Sequence, residues 1–121
     1  MPVVVGCSRR LIAADRRLVA SVVQGYVEAI HFFKTKRSEV VPILQQFLMF
    51  KDRAAVEEAY GFYAPLLQPL PRPSAVGLQT LLQDLLRNLP SAAPLSPTDV
   101  VDSSLLDELE QAGFIETLYG R

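Results

Sequence analysis

Cys7 and His31 are the single cysteine and the single histidine of this chain. "GCSRR", residues 6–10, sets the Cys7 thiol beside Arg9 and Arg10 and just ahead of a helix start. Those are surroundings in which cysteines become reactive. A nucleophilic thiol also needs a positioned base, and His31 stands far along the chain in no shared motif. Cys7 therefore reads as a small residue at a strand–helix junction. The same stretch invites an anion site, because N–H groups at a helix start favour negative charge. It lacks the glycine spacing of a phosphate loop. His31 follows Glu28 by one helical turn, so that carboxylate is placed to hold the imidazole. With no nucleophile or cleft beside it, His31 reads as an exposed or capping histidine.

Asp107, Glu108 and Glu110 are paired carboxylates by sequence, but the apolar Leu106 and Leu109 lie among them. They read as the solvated face of an amphipathic helix. Tyr26, Phe32, Phe33, Phe47, Phe50, Tyr60, Phe62 and Tyr63 are enough aromatics to line a ligand pocket. At helical spacing they are expected in the core. The lone cysteine excludes an internal disulfide and a cysteine-rich metal site. No metal, cofactor or catalytic site is expected.

The elements that position these residues belong to a chain of 121 residues, the size of one domain. Half of it is hydrophobic and its mean hydropathy is positive. For a small monomer that is rich, and it points to apolar surface shared with a partner. Twelve basic and 13 acidic residues give a net charge of −1. That balance argues against a nucleic-acid partner. No apolar run approaches the ~20 residues of a membrane span. No basic segment precedes the short N-terminal apolar stretch, so a secretory signal is not expected either.

The expected architecture is mainly α, with four main helices and short helical pieces. Asp15 caps a helix over 16–35, whose apolar row is Leu18, Val19, Val22, Val23, Tyr26, Val27, Ile30 and Phe33. Ser38 caps a second over about 39–49, with Pro42 in its first turn; an earlier start would place a kink at Pro42. Asp52 caps a third over about 52–64 that buries Ala55, Val56, Ala59, Tyr60 and Tyr63. Ser74 caps a fourth over about 75–88. "QPLPRP" (68–73) and "PSAAPLSPTDVVD" (90–102) read as extended linkers. Ser103 or Asp102 opens a short helix holding Leu105, Leu106 and Leu109. Gly113 stops it, and a last turn covers 115–118.

Val3, Val4 and Val5 suggest at most one short strand, which would carry unpaired backbone groups on both edges. "VEAIHFFKTKRSEVVPILQQFL", "AVEEAYGFYAPLL" and "LDELEQAGFIETLYGR" resemble the C-terminal part of the nitrate/taurine/sulfonate-type substrate-binding proteins of ABC transporters, whose thiamine-precursor-binding relatives share that architecture. The resemblance covers nearly the whole chain. It implies a fragment of a two-lobed periplasmic-binding-protein fold, with the strand cut from a sheet supplied elsewhere. It also implies a non-enzymatic solute-binding protein, since the cysteine-rich motif of the enzymatic relatives is absent. Solute recognition would then need the missing lobe, and only the junction at Gly6, Cys7 and Ser8 would face a ligand cleft. The resemblance places the protein in the periplasm; read as complete, the chain would be cytoplasmic.

Half a cleft cannot enclose a small molecule. Helices shaped to cover a sheet would expose apolar faces, and a two-fold dimer, with exchange of an N-terminal segment as one route, would cover them. The alternative is a free-standing helical oligomerisation module without solute binding.

Overall fold

In a computed structural model, residues 5–89 and 95–120 are described. They are mainly helical. The helices are α1 (Arg9–Ala14), α2 (Arg16–Thr35), α3 (Arg37–Phe47), α4 (Arg53–Tyr63), α5 (Ala75–Asn88), α6 (Pro97–Val100), α7 (Ser104–Gln111) and α8 (Phe114–Tyr119). A 3-10 turn, Ala64–Leu66, follows α4. Among the described residues there is no strand. The strand expected at Val3, Val4 and Val5 lies outside them, except that Val5 is irregular and exposed.

Short polar side chains begin most of these helices. Asp15 Oδ1 accepts from the Leu18 N–H at 3.0 Å, Asp52 Oδ1 from Ala54 N–H at 2.9 Å, and Ser74 Oγ from Gly77 N–H at 3.2 Å. Each satisfies a helical donor that has no carbonyl partner of its own. Asp102 Oδ1 does the same for the Ser104 N–H at 2.9 Å.

Ser38 does not cap α3. Lys36 closes α2 through its N–H to the Phe32 carbonyl at 2.9 Å, and its own carbonyl accepts from Glu39 and Val40 N–H, each at 2.9 Å. One residue thus ends one helix and starts the next, so α3 begins at Arg37 and Pro42 falls inside it. The missing proline N–H leaves the Ser38 carbonyl without its helical donor, at a position exposed to water. The far end of α3 also stops earlier than expected. Met49 turns left-handed at φ 54°, and the Phe50 N–H reaches back to the Gln45 carbonyl at 3.1 Å. That closure usually employs glycine.

The 90–102 linker is not wholly extended. Residues 90–94 lie outside the description, but Ser96 and Asp99 build a capping box around α6, with Ser96 N–H donating to Asp99 Oδ2 at 2.7 Å. Residues 97–100 of the linker thereby form a helical turn.

α2 is the spine. It packs against α1, α3, the 3-10 turn, α7 and α8. The best-packed cluster is Val40 and Val41 of α3 with Val56 and Tyr60 of α4, edged by Phe33, Leu44 and Ala64. Lys34, near the end of α2, donates Nζ hydrogen bonds to the Ala64 and Leu67 carbonyls at 2.9 and 2.6 Å. A cation thus satisfies carbonyls at the end of the α4 segment. On the other side Val19, Val27 and Ile30 of α2 and Leu105 and Leu106 of α7 are buried.

Candidate functional site

The N-terminal junction is the site the sequence singles out. Gly6 and Cys7 sit exposed in the irregular stretch ahead of α1. Ser8 is the N-cap of α1, its Oγ accepting from Leu11 N–H at 3.1 Å. Arg9 donates to the carbonyl of Asp99 in α6. Arg9 therefore ties the junction to the capping box across the chain. Gly6, Cys7 and Ser8 are all exposed, and among the described residues Cys7 joins no cluster with His31 or acidic side chains that could hold a metal.

The acidic residues of α7 lie on a solvated face, as expected, but each is paired with an arginine. Arg16, the first residue of α2, donates to Ser104 Oγ at 3.0 Å and pairs with Glu108. Arg72, from the connector before α5, forks onto Asp107 and Glu110, each contact 2.7 Å. Two guanidinium groups from distant parts of the chain therefore hold one side of α7. Arginine suits this role because its planar fork presents several donors at once. Hydrogen bonds to Glu108 raise the pKa of Arg16, and those to Asp107 and Glu110 raise that of Arg72.

Asp99 and Asp102 are structural carboxylates. The Ser96 hydroxyl and N–H hold the Asp99 carboxyl below the usual carboxylate range, with Arg9 adding to the effect. The Ser104 hydroxyl and N–H do the same for Asp102, with Arg16 adding. Among the described residues no group of histidine, cysteine and acidic side chains could hold a metal ion.

His31 is half-buried rather than free on a polar face. Its ring meets the edge of Tyr119 in α8, with centroids 4.6 Å apart and planes at 81°. Glu28 Oε1 instead accepts from Gln24 Nε2 at 3.0 Å. The aromatics divide in the same unexpected way. Tyr60 is buried, and Tyr26 and Phe33 are half-buried, but Phe32, Phe47, Phe50, Phe62 and Tyr63 are exposed. The α3–α4 pair buries only one of its faces, and on the outside Phe62 and Tyr63 meet edge to face with ring centroids 5.1 Å apart.

What remains as a site is a shallow groove of about 400 Å³ between α2 and α3, lined chiefly by Gly25, Ala29, Phe32, Val40 and Ile43. The lining is predominantly apolar, with Glu28 at its edge. Sequence reasoning missed it because Gly25 and Ala29 carry too little side chain to register as an apolar face. Open on one side and carrying few polar groups, the groove suits an apolar surface better than a small polar solute, which needs enclosure and several fixed polar contacts.

Comparison of the chain with family models, curated proteins and solved structures returns no match.

Proposed function

We propose that this chain is the non-enzymatic helical segment of an ABC-transporter solute-binding protein of the nitrate/taurine/sulfonate type, working in the periplasm. Solute recognition in this reading requires an α/β lobe beyond these helices. The observation that carries it is the pairing of helix order with one-sided burial. The three stretches that carry the resemblance fall on α2–α3, α4 with its 3-10 turn, and α7–α8. Apart from α2, the helices α3, α4 and α5 keep large apolar side chains exposed, among them Phe47, Phe62 and Leu81. Such faces suit helices that lie against a further layer. The exposed junction at Gly6, Cys7 and Ser8 is then the strip that would border a solute cleft.

Sequencing the locus upstream of the Met1 codon tests the reading. An in-frame continuation with a leader peptide and an α/β lobe is expected. A ribosome-binding signal directly before Met1, with no such frame, overturns it in favour of a free-standing helical module. The broad exposed apolar surface is the observation that favours that second reading. Calorimetric titration of nitrate, taurine and an alkanesulfonate into the 121-residue chain should give no saturable heat; tight binding by these helices alone would remove the need for another lobe.

A further inference from the structure

We infer that α2 carries a seam for a second copy of this chain, centred on Gly25. At 100° per residue, Leu18, Val22, Gly25, Ala29 and Phe32 fall on one stripe roughly 80° wide. Their spacing alternates four and three residues, the pattern of a helix–helix seam. The stripe runs about 21 Å along the helix. It lies roughly 130° around from Val19, Val27 and Ile30, which α7 and its neighbours cover. Leu18 is 51% exposed, Val22 52% and Phe32 37%. Gly25, Ala29 and Phe32 of the stripe also line the α2–α3 groove, to which Ile43 adds apolar surface.

Three observations assign this seam to a second copy. First, the accessible surface is 9084 Å², whereas a compact monomer of this mass exposes about 6,500 Å². A fully extended allowance of roughly 1,500 Å² for the residues outside the description still leaves about 1,000 Å² in excess. A stable two-chain interface removes about 800 Å² from each partner. Second, the seam is self-complementary. Leu18 and Phe32 stand equally far on either side of Gly25, so an antiparallel two-fold arrangement sets each Leu18 against the partner's Phe32, with the small residues at the crossing. A glycine inside a helix is about 1 kcal/mol worse than alanine, and a Cβ built on Gly25 meets nothing within 4 Å. Nothing within the chain requires glycine there, whereas a close backbone crossing does. Third, a net charge of −1 puts little repulsion between copies.

The inference does not depend on the solute-binding reading and is tested apart from it. Sedimentation equilibrium of the full chain at micromolar concentration should give twice the monomer mass of 13.4 kDa. Gly25→Gln fits the isolated helix and favours it, so the variant should keep its far-UV helical signal while dimer dissociation rises at least about tenfold. Gly25→Cys in a Cys7→Ser background should oxidise to a disulfide-linked dimer. A dimer indifferent to Gly25→Gln that fails to cross-link at residue 25 overturns the seam. So does a monomer at ~100 µM whose introduced thiol alkylates freely; the stripe would then belong to a different polypeptide.

Discussion

The Tyr60 hydroxyl donates to the backbone carbonyl of Phe33 at 2.6 Å, and the rings of the same two residues stack with centroids 5.1 Å apart. Arg37 lies over the Tyr60 ring, 5.6 Å from its centroid. One side chain of α4 therefore holds the last turn of α2 and the first residue of α3 together. The phenol reaches a helix-end carbonyl while its ring stays in the apolar cluster.

Tyr60→Phe should keep the stacking and lose about 1 kcal/mol of stability with the hydrogen bond. Tyr60→Ala should lose about 3 kcal/mol or more, because it also empties the cluster around Val41 and Val56. Urea unfolding followed by far-UV circular dichroism separates the two. Equal losses would show that the hydroxyl is the whole of the effect.

Met49 sits at the left-handed position that ends α3, where glycine escapes the steric penalty of a Cβ. It is 87% exposed, so its side chain contributes little packing. Met49→Gly should stabilise the chain by about 1 kcal/mol. Gly113, at φ 68° between α7 and α8, should respond in the opposite sense: Gly113→Ala should cost about 1 kcal/mol.

Arg72 and Arg16 grip an exposed helix, so their ion pairs are screened by salt. Arg72→Met should leave the melting temperature nearly unchanged but speed amide exchange in α7 and α8 a few-fold. One molar sodium chloride should produce much the same acceleration in the unaltered chain. Exchange confined to other helices would show that the fork does not anchor α7.

Acid should loosen α6 and the start of α7 first. Asp99 and Asp102 have folded pKa values below their unfolded ones. Their contribution is therefore complete above the unfolded carboxylate pKa of about 3.9 and disappears as pH falls through the lower folded value. Amide protection at residues 96–106 should fall as the pH drops below about 4. The loss should be smaller in an Asp99→Asn, Asp102→Asn double variant, which already lacks the charges at neutral pH.

Cys7 is exposed, and among the described residues it joins no cluster of histidine and acidic side chains that could hold a metal. Its alkylation rate at neutral pH should match that of a free cysteine. A rate one hundred times faster, about two powers of ten, would require an activating neighbour.

Much of the helical layout was legible along the chain because caps and periodicity are local. Asp15, Asp52 and Ser74 each bond N–H groups two or three residues onward, and apolar rows at three- and four-residue spacing need no knowledge of distant partners. Ser38 misled because the Lys36 backbone alone serves both helices. Distant relationships were not legible. Arg16 and Arg72 are separated from α7 by much of the chain, so their hold on Asp107, Glu108 and Glu110 exists only once α2 and the connector lie beside that helix. Burial was decided at the same level. Leu18, Val22 and Phe32 share their hydropathy with Val19, Val27 and Ile30, and only the placement of α7, α8 and α3 around α2 determines which row is covered. A sequence states which side chains prefer to leave water; the packed neighbours determine which of them do.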